Sequence, residues 1–147
     1  MARRSPAILL VEDNPIHAIF IKDSLKAAGI DVVYIVEDGQ EALSFIYQKG
    51  NYTDPARTSR PQLILLDISI PRVDGFQVLE RLKKDDEYKG IPIVMLTCTD
   101  RQEAVEKCYQ LGANAYIVKP VDLSEFKERI KKLGTFIGIL GLPNRSK

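Results

Sequence analysis

Tryptophan is absent from this chain of 147 residues, histidine occurs once and cysteine twice. Cys98 and Cys108 are too few for a disulfide framework and lack the spacing of a zinc site. Both are expected to be reduced, partly buried thiols. An excess of one charge is missing too: 21 Lys and Arg against 20 Asp and Glu leave a formal +1. That balance supplies no field to draw the chain to DNA or an anionic membrane. No apolar run reaches membrane-spanning length, and the two arginines within residues 1–6 precede no long apolar region of a signal peptide. A cytoplasmic protein is expected. There is no GxxxxGK[ST] loop and no GxGxxG, so a nucleotide cradle is not indicated.

What is present reads as one ordinary domain, with 45% apolar and 28% charged residues. Short apolar runs at 7–11, 31–36, 63–66, 91–96 and 115–118 read as strands. Asn14-Pro15 opens a helix as capping residue and first helical position, with Ile16, Phe20, Leu25 and Ala28 as its apolar face and Gly29 as its stop. Asp38-Gly39 leads into a second helix carrying Ala42, Leu43 and Ile46, and residues 52–61 form a long polar loop. A turn at 71–75 precedes a helix over 76–84 with Phe76, Leu79 and Leu82 inward. The fourth helix, 101–111, turns Val105, Cys108 and Leu111 to one side, and a fifth starts near Asp122. Strands alternating with helices imply an α/β fold, a doubly wound five-stranded parallel sheet of (βα)5 type.

Ligands of such sheets bind outside the carboxyl ends of the strands. Four of the runs end there on ionic or hydroxyl groups: Glu12 and Asp13, then Asp67, then Thr97, then Lys119 followed by Pro120. Each has a plain reading alone, as a helix-end charge, a cap or a surface residue. Asp67 resists it, because it follows four apolar residues and precedes Ile68, where an unpaired buried charge is costly. Clustered carboxylates repel unless a cation sits among them, and an all-oxygen set suits a hard ion such as Mg²⁺. Lys119 and Thr97 suit phosphoryl oxygens, and a metal-neutralised Asp67 is a competent nucleophile.

The runs ILLVEDN at 8–14, LILLDISIPRVDG at 63–75, IVMLTC at 93–98 and AYIVKP at 115–120 resemble the receiver domain of two-component response regulators, over about residues 6–134. The resemblance implies a flavodoxin-like sheet of order 2-1-3-4-5. It implies that Asp67 takes a phosphoryl group from a phosphohistidine on a sensor histidine kinase, in a phosphorelay that the chain does not run as an enzyme on external substrates. Mg²⁺ or Mn²⁺ would be held directly by Asp13 and Asp67, through water by Glu12, and by the backbone carbonyl of Ser69. Lys119 would pair with the phosphate across a cis bond to Pro120. Thr97 would be the switch hydroxyl, with Tyr116 swinging inward behind it. Cys98 stands where a smaller alanine is frequent, which narrows access to the phosphoryl group unless it simply packs. The 52–61 loop and Leu142-Pro143 narrow the resemblance to stand-alone regulators paired with bacterial and cyanobacterial phytochromes.

Output is expected from the last helix. Leu123, Phe126, Ile130, Leu133, Ile137 and Leu140 form a stripe at steps of three and four, and the segment 135–147 outruns the receiver. A homodimer through this helix is the leading expectation, with folding back onto the domain or fraying as alternatives. Kinase specificity is expected on helix one around His17, Ile21 and Ser24, with His17 facing solvent or a partner. A phosphatase with an aspartyl nucleophile is the competing reading, disfavoured because Ser69 stands where it wants a second acid. A phosphorylation-blind interaction module is the other.

Overall fold

The computed structural model describes residues 7–27, 29–53, 60–98 and 101–119, together with 124–125, 128–129 and 131–132. Five parallel strands, β1 (Ala7–Val11), β2 (Val32–Val36), β3 (Leu63–Asp67), β4 (Ile93–Thr97) and β5 (Ala115–Val118), pair in the order β2-β1-β3-β4-β5. Four helices connect them: α1 (Pro15–Ala27), α2 (Gly39–Tyr47), α3 (Gly75–Lys83) and α4 (Gln102–Gln110). Residues 124–125, 128–129 and 131–132 are also helical, where the fifth helix is expected. The (βα)5 reading and its strand order are met.

β1, β3 and β4 are buried at every position, which is why they read as unbroken apolar runs. Their side chains alternate between two cores. Ile8, Leu10, Leu63, Leu65, Val94 and Leu96 pack beneath α1, on Ala18, Ile21 and Leu25. Leu9, Val11, Ile64, Leu66, Ile93 and Met95 face α2, α3 and α4. The chain leaves β1 toward β2 and leaves β3 toward β4, so the crevice between β1 and β3 is the switch point.

Local chemistry sets the helix starts. The Asn14 side chain accepts from the backbone N–H of Ile16 and His17 at 2.9 and 3.1 Å. Asp38 caps α2 by accepting from Glu41 N at 2.7 Å. Asp74 and Gln77 form a reciprocal capping box at α3. α3 therefore begins at Gly75, a residue earlier than the sequence reading placed it.

The inward face of α1 is met at Phe20 and Leu25 and differs at Ile16, while Ala28 lies outside the described residues. Ile16 is 70% exposed, and Ala18, Ile21, Ser24 and Leu25 are the buried residues. Ile16 and Ile19 make the helix apolar beyond the side that the core uses, so its spacing alone does not select the whole face. Ser24 goes inside because its hydroxyl donates to the Phe20 carbonyl at 2.9 Å. On α3, Val78 joins Leu79 and Leu82 on the buried face, and the half-buried Phe76 packs against the same core.

At the end of the sheet opposite the strand carboxyl termini, Lys83 forms a clamp. Its Nζ donates to the carbonyls of Lys89 and Ile91 at 3.0 and 2.9 Å and to Asn114 Oδ1 at 3.1 Å. The same Asn114 oxygen accepts from Ile93 N at 2.9 Å. α3, β4 and the turn before β5 are thereby tied at one point.

Candidate functional site

The expected strand-end groups converge. Glu12 follows β1 and extends its ladder by one bond, donating its N–H to the Val36 carbonyl at 3.0 Å. Asp67 and Thr97 are the last residues of β3 and β4, and both are buried. Lys119 follows β5 directly, and its N–H donates to the Thr97 carbonyl at 2.6 Å. Carboxylate oxygens of Glu12, Asp13 and Asp67 lie within 4.8 Å of one another. Into this group reaches the Lys119 ammonium, bonded to Glu12 Oε1 and, at 2.7 Å, to Asp67 Oδ2.

The remaining oxygens are oriented by backbone. Asp67 Oδ1 accepts from Ser69 N at 2.9 Å, and Glu12 Oε2 from Asn14 N at 3.2 Å. Asp13 is exposed, while Glu12 is 1% and Lys119 7% exposed. Three carboxylates against one ammonium leave two uncompensated negative charges, the charge of a divalent cation. The donors are all oxygen, so the set fits a hard ion that keeps some of its water.

Protonation follows the same layout. Burial pushes the Glu12 carboxyl up, against its hydrogen bond from Lys119 and with help from the Asp67 charge. Burial also works against the Lys119 ammonium, but hydrogen bonds to Asp67 and Glu12 outweigh it and raise the group. For the lysine two carboxylates outweigh burial, whereas for Glu12 burial outweighs its one ammonium, so both rise.

The loop after Asp67 is held from two sides. Gly75 N donates to the Ile68 carbonyl at 3.0 Å, and a Cβ on Gly75 would stand 2.7 Å from Ile68 Cα and closer still to the Asp67 carbonyl oxygen. Gly39 N donates to the Pro71 carbonyl at 3.3 Å, and Gly39 packs against the Val73 backbone. Asp38 pairs with Arg72 at 3.8 Å, and Arg72 takes φ 70°. In the sequence Gly39 and Gly75 read only as turn residues. Their close approach to distant backbone leaves no periodic signal.

Other expectations resolve individually. Tyr116 is half-buried against the core that contains Met95, its register partner on β4. Cys98 is exposed rather than packed, whereas Cys108 is buried and its thiol is pushed up by burial. Ile21 and Ser24 are buried and cannot form a docking face. His17 does not simply face solvent: it is half-buried, with Nδ1 3.4 Å from Lys119 Nζ. Pro120 and the stripe from Leu123 to Leu140 lie outside the described residues.

A doubly wound sheet with an acid cluster and a buried lysine at its switch point defines a flavodoxin-like domain with an acidic pocket suited to a hard cation. The chain belongs to the response regulator receiver domain family, whose model matches residues 8–131. It is 35% identical over 130 residues to response regulator Rcp1 of Synechocystis sp., covering 88% of this chain and 86% of that protein. The crystal structure of the phosphorylated cyanobacterial phytochrome response regulator RcpA superimposes with a TM-score of 0.87 at 35% identity, covering 95% of this chain and 99% of that one. The Mn²⁺-bound form of Rcp1 gives 0.82 at 34% identity, covering 89% and 93%.

Proposed function

We propose that this chain is a response regulator of the phytochrome-associated kind that accepts a phosphoryl group on Asp67 from a sensor histidine kinase. The observation that carries this is Asp67 itself: a buried carboxylate at a strand end, 2.7 Å from Lys119 Nζ and within 4.8 Å of two further acids. An Asp67 oxygen attacks the phosphorus of a phosphohistidine, the P–N bond breaks, and the imidazole leaves with the electron pair. Lys119 balances the charge on the transferred oxygens, and Thr97 supplies a hydroxyl from the neighbouring strand end. Mg²⁺ or Mn²⁺, held by Asp13, Asp67 and the Ser69 carbonyl with Glu12 acting through water, would neutralise the carboxylate and the incoming phosphoryl oxygens.

The receiver is assigned to residues 6–134 and the extension to 135–147. Thr97, Tyr116 and Pro120 form the proposed switch, with a homodimer through the C-terminal stripe as its output. The protein acts in the cytoplasm, without DNA or membrane as a partner. Among the described residues no helix is long and apolar enough to cross a membrane. Kinase docking moves to the exposed side of α1, where Ile16 and Ile19 are 70% and 59% exposed.

Incubation with Mg²⁺ and acetyl phosphate, followed by intact-mass measurement, tests the reading. One added phosphoryl group, absent in Asp67→Asn, is expected. No adduct under any condition would overturn it, and steady release of phosphate from many small esters would favour a phosphatase.

A further inference from the structure

The one histidine of the chain stands at the lysine of the site, and the phosphotransfer chemistry gives it no role. Lys119 Nζ carries three protons and, among the described residues, has three partners: Glu12 Oε1, Asp67 Oδ2 at 2.7 Å, and His17 Nδ1 at 3.4 Å. Its side chain is 5% exposed, so bulk water does not take the third proton. The first turn of α1, fixed by the Asn14 cap, puts the imidazole there. Burial and the Lys119 charge push His17 down, against the opposing charges of Asp67 and Asp13. A neutral ring with its lone pair on Nδ1 and its proton on Nε2 is the form that accepts from an ammonium.

We propose that His17 is a positioning residue for phosphotransfer: its Nδ1 accepts the third proton of Lys119 and keeps the ammonium seated between Glu12 and Asp67. The inference rests on Asp67 being the phosphoacceptor. Two acids leave one proton of the ammonium unpaired and one side of it unrestrained, and a third acceptor holds it from that side. The seat is therefore ready when a phosphoryl group arrives, and the anionic oxygen then replaces the weaker imidazole as the third partner.

Two measurements test this. In the unphosphorylated protein the single histidine gives one set of imidazole nitrogen signals. The expected spectrum shows a neutral ring protonated on Nε2, with Nδ1 shifted by an accepted hydrogen bond and that shift lost in Lys119→Met. A ring protonated on Nδ1, or one indifferent to Lys119→Met, would overturn the proposal. In the second, Asp67 phosphorylation by acetyl phosphate and Mg²⁺ is followed by intact mass. His17→Ala and His17→Gln are expected to slow it about two- to tenfold, the worth of one hydrogen bond. His17→Asn, whose amide oxygen can occupy the place of Nδ1, is expected to restore the rate. Equal rates in all variants, or equal slowing in Ala and Asn, would overturn the proposal. A wild-type chain that takes no phosphoryl group overturns the Asp67 reading instead, while the nitrogen spectrum still decides the His17–Lys119 contact.

Discussion

Gly75 opens α3 with its Cα pressed on the backbone of Asp67, where a Cβ would stand 2.7 Å from Ile68 Cα and closer to the Asp67 carbonyl oxygen. Neither neighbour is a flexible side chain that could yield. Gly75→Ala must push α3 off the sheet or shift the strand end. We expect a stability loss of about 1–3 kcal/mol, as for other overpacked sites. Urea unfolding should show the lowered midpoint, and Asp67 phosphorylation should fall further than the residual fold explains.

Lys119 is the cation present for two buried acids, so its removal leaves them uncompensated. Lys119→Met should cost about 3–5 kcal/mol in the absence of divalent ions. The variant gathers three negative charges where the wild type has a net two. Added Mg²⁺ should therefore raise its melting temperature more than it raises the wild type's. Thermal melts with and without Mg²⁺ check both signs, and an equal response would contradict the charge account.

Tyr52 donates its hydroxyl to Glu41 Oε1 at 2.6 Å beside the Phe45 ring, and burial with that bond pushes its phenol up to about 12. The folded state keeps the proton longer than the unfolded one. This contribution to stability is full below the ordinary tyrosine value of about 10 and is lost as pH rises toward the folded value. Burial also raises the Tyr47 and Tyr88 phenols, so ultraviolet titration should find several late phenolates, with the most delayed one absent in Tyr52→Phe. The variant should lose stability at neutral pH and close the gap in alkali.

The two sides of α1 should respond oppositely. Leu25 is fully buried in the core beneath α1, and Leu25→Ala should cost about 2–5 kcal/mol. Ile16→Ala and Ile19→Ala lie on the exposed side and should stay within about 0.5 kcal/mol of wild type. Transfer from a phosphorylated sensor kinase should slow in these two, while phosphorylation by acetyl phosphate stays unchanged.

The sheet was legible because β1, β3 and β4 are buried on both faces and leave continuous apolar runs ending on polar groups. Those endings also made Glu12, Asp13, Asp67, Thr97 and Lys119 readable as one cluster. The inward face of α1 was legible only in part, at Phe20 and Leu25, since Ile16 and Ile19 make more of the helix apolar than the core uses. Ile91 and Pro92 look like strand but precede β4, which begins at Ile93. His17 was placed by helix face, one position off the apolar side. A contact between residues 102 positions apart has no local signature.

The Lys83 clamp has a mechanical consequence. β4 and the turn before β5 are moored at their feet, where one ammonium and one amide oxygen gather Lys89, Ile91, Ile93 and Asn114. One side chain at the end of α3 thus joins the approach to β4 and the turn before β5, and its removal would untie both at once.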